Sequence, residues 1–256
     1  MDTRYWGPSG WRLLHLISFS ETADPRNIAP FFWTLAYVLP CKYCRKSFSE
    51  YISNDPIDEA TPPAKWLWKI HNKVNAKLRS QRVGHTAQSD PSFASVKGIY
   101  TERLESGCSR TTFEGWEFLF SVAEAHPLSR QMRSSVPIQG HPPIDTIMDP
   151  LERNRWNVME PEERLVYYTQ FWKLLPSVLP FPEWTAHWKT ASSLNSALCR
   201  KECLKGLWEI RRRMEQKLEL LNRTTYSSLC KELKDHKSGC TKSVRGKTCR
   251  KKPRAS

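Results

Sequence analysis

The chain has 256 residues, 39% hydrophobic and 26% charged, and its 11 Trp, 8 Tyr and 10 Phe supply ample core, which excludes wholesale disorder. Every apolar run is broken by a charge or proline before the ~20 residues of a membrane span, and Met1-Asp2-Thr3-Arg4-Tyr5-Trp6 lacks the apolar stretch of a secretory signal, so neither is expected. The net charge of +14 is lopsided: residues 1–107 carry 14 basic and 10 acidic side chains, residues 108–198 carry 8 and 10, and residues 199–256 carry 18 and 6. That speaks against a uniformly basic nucleic-acid-binding body, since basicity belongs to the C-terminal end.

In chain order, Pro8-Ser9 is read as opening a helix with Trp11, Leu14, His15 and Ser18 on one face. A second apolar run, Ile28 to Leu39, stops at Pro40. A third helix begins at Cys41 and runs toward Asp55-Pro56, and a fourth, Ala64 to about Leu78, carries Trp66, Leu67, Ile70, Val74 and Leu78 at helical spacing. A shorter fifth, Ser92 to Leu104, places Pro91 in its first turn and closes at Ser106-Gly107. Residues 1–107 therefore read as an all-α unit, a four-helix bundle with a short fifth helix. Beyond it, residues 112–125, Pro161 to Leu175 and Glu202 to Leu221 read as helices of a second, mostly helical domain over 108–237. His126 to Pro150, with five prolines, reads as an irregular wrap, and residues 238–256 as a basic, mobile tail.

Eight cysteines are too few for a disulfide scaffold in a chain of this length, and of these only Cys41 and Cys44 form a C-x-x-C. The pair follows Pro40 at a helix start, where the helix dipole with Lys42, Arg45 and Lys46 favours the thiolate that attacks disulfides. Two other readings stay open: a pair of small buried hydrophobes, or a zinc site, which would need ligands that no second C-x-x-C or C-x-x-H supplies nearby. Trp11 and His15 share a face of the first helix, and His71 and Asn75 share one of the fourth, with Asn72 and Lys77 close by. Polar groups on an otherwise apolar helix need partners, because burying each unpaired costs about 1–3 kcal/mol. A flat, hydrogen-bonding, phosphate-bearing cofactor meets that need, although each histidine alone also fits an ordinary core or surface role.

Taken together, Trp11-x-x-x-His15, Pro40-Cys41-x-x-Cys44 and Trp66-Leu67-x-x-x-His71-Asn72-x-Val74-Asn75-x-Lys77-Leu78, in that order, resemble the Erv/ALR FAD-linked sulfhydryl oxidases over about residues 4–107. The opening Trp6-Gly7-Pro8-Ser9-Gly10-Trp11 and the fifth helix look most like members encoded by large cytoplasmic DNA viruses. The resemblance implies a four-helix bundle that binds FAD among its helices, as a homodimer, placed in the cytoplasm of an infected cell or in a virion. It implies that Cys44 is the flavin-proximal cysteine and Cys41 the one that exchanges with substrate thiols. Trp11, His15, His71, Asn72, Val74, Asn75 and Lys77 match FAD-binding positions, and no metal is implied. Two departures stand out: the structural cysteine pair of cellular members has no counterpart near residues 79–107, and their tyrosine before Pro-Cys is Leu39 here.

The function so implied is a thiol oxidase that turns protein dithiols into disulfides and passes the electrons through the C-x-x-C and FAD to O2, giving H2O2. The rival reading is a non-catalytic all-α interaction protein whose basic tail binds nucleic acid or virion components. Cys199 and Cys203 are read as thiols or as residues at a helix end. Cys240 and Cys249 are read either as a shuttle pair or as incidental cysteines in a tail that makes weak polyanion contacts.

Overall fold

The computed structural model describes residues 1–58, 60–81, 89–109, 111–129, 132, 136–191, 199–221 and 223–237. Over these residues it contains eleven α-helices, one 3-10 turn and no strand.

The first helix, α1 (Thr3–Phe19), starts five residues earlier than Pro8 and carries that proline inside it. An interior proline costs a helix about 3 kcal/mol. Two features offset it: the Asp2 carboxylate caps Arg4 N at 2.9 Å, and Trp6 in the first turns is buried against Phe118. A cap is worth about 1 kcal/mol and a buried large side chain about 1.5–3 kcal/mol, so the sum covers the loss.

Helix α2 (Pro25–Val38) has Asp24 as its cap and Pro25 in its first turn, and Leu39 turns extended ahead of Pro40. Helix α3 (Lys42–Asn54) follows with Cys41 as its extended N-cap. Helix α4 (Pro63–Ser80) begins on a proline, and α5 (Phe93–Glu105) is capped by Ser92, which leaves Pro91 outside the helix rather than in its first turn. In this half α1 packs on α4 and α5, and α2 packs on α3. Phe32 and Phe48 both meet the fully buried Trp66.

The second half is also helical: α6 (Trp116–Glu124), the 3-10 turn Ile144–Thr146, α7 (Pro150–Arg155), α8 (Pro161–Val178), α9 (Pro182–Ala191), α10 (Arg200–Lys217) and α11 (Tyr226–Asp235). It departs from expectation at several helices. Helix α6 starts only after Gly115, and α8 runs on through Pro176 because Val178 and Leu179 have core to fill. Helix α10 spans 200–217 rather than 202–221, and α7, α9 and α11 occupy stretches where no helix is expected.

The two halves share one continuous apolar cluster. Helix α2 lies along α8, α1 along α6 and α3 along α7. Phe31 stacks on Phe171 at 5.2 Å, and Tyr37 lies flat on Tyr167 at 3.7 Å. Gly115, at φ +123°, lets α6 approach α1 so closely that a Cβ there would sit 2.6 Å from Leu13 Cδ2. Cys203 is buried and meets the Tyr168 hydroxyl at 3.1 Å, Cys199 caps α10, and neither is in a disulfide. Among the described residues no helix is long and apolar enough to cross a membrane. Cys240, Cys249 and the basic tail lie outside the described residues.

Candidate active site

The dithiol is built by a helix start. Pro40 ends the extended link from α2, Cys41 caps α3, and Cys44 closes its first turn, with Cys44 N and Arg45 N both donating to Cys41 O at 3.0 and 2.9 Å. Both sulfurs are half-buried thiols at the end of the helix where backbone N–H groups are unsatisfied and favour negative charge. The three basic residues of the motif are not equivalent. Lys46 is taken up by Glu50 at 2.7 Å and lies over the Trp156 ring, and Lys42 donates to Val136 O at 3.0 Å. Arg45 is buried, donating to Leu39 O at 3.0 Å and to Asn157 Oδ1 at 2.8 Å.

A second cluster joins α1, α4 and α5. His15 Nε2 and His71 Nδ1 meet at 3.0 Å, the donor being whichever ring carries the proton there. Trp11 stacks on His71 at 3.8 Å with planes 8° apart, and Tyr100 stacks on His15 at 4.9 Å. Burial, with the neighbouring His71 ring adding to it, holds His15 down to about 3, and burial holds His71 at about 4, so both rings are neutral at pH 7. His15 Nδ1 is buried and makes no hydrogen bond.

The rest of the α4 motif faces a partly open surface. Ala64, Trp66, Leu67 and Ile70 are buried, but from His71 onward every α4 residue is half-buried or exposed, including Asn72, Val74, Asn75 and Lys77. Val74 and Leu78 continue the apolar stripe of Leu67 and Ile70 and are only half-buried among the described residues. Asn75 donates to Asp90 Oδ1 at 3.1 Å, and Arg79 forks onto the same carboxylate and holds it below the usual range. Lys77 Nζ bonds Ser47 Oγ, one turn beyond Cys44 on α3, and this contact links the motif helix to the dithiol helix. Tyr100, Asp90 and Ser47 escape sequence reasoning because each enters through a fold contact and no spacing announces it. Among the described residues no group of three or more His, Cys, Asp or Glu is placed to hold a metal.

Comparison with known proteins finds a family match over the same stretch of the chain. The Erv1 / Alr family profile matches residues 8–93, which include the dithiol, both histidines and the α4 motif. The mitochondrial FAD-linked sulfhydryl oxidase of Saccharomyces cerevisiae is 33% identical over 88 residues, covering 32% of this chain and 47% of that protein. A probable FAD-linked sulfhydryl oxidase of Acanthamoeba polyphaga mimivirus is 28% identical over 85 residues, covering 29% of this chain and 59% of that protein. The chain thus spans about half the length of the curated relatives it matches. No solved structure matches it. Residues 8–93 of this chain thus match the Erv1 / Alr family, over the same stretch that holds the dithiol and the histidine pair.

Proposed function

We propose that the chain is an FAD-linked thiol oxidase acting on protein dithiols, with O2 as final acceptor and H2O2 as product. The observation that carries the reading is the coupling of a helix-start dithiol, through Ser47 and Lys77, to the half-buried face of α4 with its histidine pair. That face fits FAD on its own chemistry. Among the described residues the buried His15 Nδ1 has no hydrogen-bond partner, the flat Trp11–His71 stack suits a ring system, and Val74 and Leu78 are only half-buried. Trp11, His15, His71, Asn72, Val74, Asn75 and Lys77 would hold the cofactor, whose chemistry is two-electron transfer from a dithiol to O2.

In this reading Cys41, at the helix cap, exchanges with substrate thiols, and Cys44, one turn inward, receives the electron pair as a thiolate favoured by the helix N-terminus. The neutral histidine pair binds and orients without adding charge. Residues 1–107 carry the site, and residues 108–237 bury its outer faces. A homodimer would use surfaces other than those that α6 and α8 already cover.

The test is a visible spectrum of the purified full chain combined with oxygen uptake on adding dithiothreitol. The expected result is a yellow protein that consumes O2 and releases H2O2. A colourless, well-folded protein without uptake in added FAD would instead favour an all-α interaction protein.

A further inference from the structure

Two arginines lie buried behind the dithiol. Arg45 is 2% exposed and Arg164, in the first turn of α8, is 4% exposed. Among the described residues neither forms an ion pair with a carboxylate, and Arg45 Nε and Arg164 Nη2 make no hydrogen bond. A buried cation left without an anion is strongly unfavourable, and two that repel each other are more so. Arg45 interacts electrostatically with Cys41 and Cys44, one turn back and one residue back along the chain.

The guanidinium is held from the second half of the chain. Its Nη2 donates to Asn157 Oδ1, and Asn157 sits at φ +58° in the turn between α7 and α8, its Nδ2 donating to Val136 O at 3.1 Å. That turn is itself pinned, because the neighbouring Asn154 donates to Ala36 O on α2 and to Ser49 Oγ on α3 at 2.7 and 3.0 Å. We propose that the C-terminal half completes the redox site: Asn157 is a positioning residue that fixes Arg45 as the counter-cation of the Cys41–Cys44 thiolates.

The proposal rests on the thiol-oxidase reading and adds a step to it. A substrate thiolate attacks Cys41 Sγ of the oxidised pair, the substrate–Cys41 bond forms, the Cys41–Cys44 bond breaks, and Cys44 leaves with the electron pair as a thiolate. A second substrate thiolate then releases Cys41 and closes the substrate disulfide. Arg45 stabilises the thiolate that leaves, and with burial lowering its pKa only to about 10 it stays charged at neutral pH.

Other charges near the site are already engaged. On α3, Glu50 is paired with Lys46 and with Arg155 of α7, and Arg155 also binds Glu152. Glu163 at the start of α8 is paired with Arg153, and Lys73 of α4 with Asp55. Lys42 and Lys77 are bound to Val136 O and Ser47, and burial pushes the hydroxyls of Tyr37 on α2 and Tyr51 on α3 upward. Arg45 is a buried cation whose charge acts on both sulfurs.

The experiment is alkylation of Cys44 by iodoacetamide across a pH series in the reduced full chain, read by peptide mass spectrometry. Asn157→Asp keeps the shape and tolerates the positive φ, but it puts a carboxylate on Arg45 and cancels its charge. The expected result is an alkylation midpoint raised by about one pH unit, a tenfold loss of thiolate below the midpoint, with near-ultraviolet circular dichroism unchanged. Asn157→Gly, suited to φ +58°, removes the amide and should move the midpoint the same way by a smaller amount. Midpoints unmoved in these folded variants would overturn the proposal, because a merely structural Asn157 has no effect on thiol ionisation. The titration needs no turnover, so a chain that binds no flavin would defeat the oxidase reading and still leave this result readable.

Discussion

The histidine pair makes stability depend on pH in a window set by its burial. His15 and His71 share one hydrogen bond at 3.0 Å and are held down to about 3 and about 4, against an ordinary histidine at about 6.5. Between those values the unfolded chain binds a proton on each ring that the folded chain refuses. Stability is therefore complete above about pH 6.5 and falls as the pH drops toward the folded values. At pH 5 each ring has been 1.5 units below its unfolded pKa, and at about 1.4 kcal/mol per unit the cost is about 2 kcal/mol per ring, or about 4 kcal/mol for the pair. That is a large share of a typical ~5–15 kcal/mol. Asp24 and Asp90 are held below the usual carboxylate range by Arg26 and Arg79. Urea denaturation of the flavin-free chain at pH 7.5 and pH 5.0 measures the loss, and the double variant His15→Gln, His71→Gln should lack most of it. An equal loss in wild type and double variant would show that the pair is not the source.

Gly115→Ala puts a Cβ 2.6 Å from Leu13 Cδ2 at a φ of +123°, and overpacking with backbone strain should cost about 1–3 kcal/mol by chemical denaturation. Phe171→Ala removes a fully buried ring that meets Phe31 and Phe118, and the same assay should read a loss of about 3–5 kcal/mol. Residues 1–107 expressed alone would uncover Trp6, Phe31 and Tyr37, which meet Phe118, Phe171 and Tyr167 in the whole chain. At about 1.5–3 kcal/mol each that loss rivals the stability of a domain, so the fragment should melt far below the full chain, and an equal melting temperature would contradict the shared core.

The helices that carry the site were legible because their apolar residues recur at helical spacing and prolines bound them, as in α2 through α5. The ordered motifs also placed Cys41, Cys44, His71 and Lys77 on the elements where they stand. The start of α1 was not legible, since Trp6 and the Asp2 cap outweigh the local signal of Pro8 only once Phe118 arrives from another helix. Helix α9 hides Trp184 and Trp188, fully buried and four apart, among prolines that read as punctuation. The environment of Arg45 was beyond reach for the same reason, because its partner Asn157 lies 112 residues away along the chain. Local spacing shows what a helix needs to bury, and only the fold shows what meets it.

The central claim is that Cys41 and Cys44 pass a substrate's electron pair to bound FAD, and an anaerobic titration tests it most directly. One equivalent of dithiothreitol per flavin, added to the full chain without oxygen, should bleach the oxidised-flavin absorbance of the wild type and leave that of flavin-loaded Cys44→Ala standing. Bleaching of Cys44→Ala at the wild-type rate would contradict the account, because the electrons would then be reaching the flavin without the dithiol.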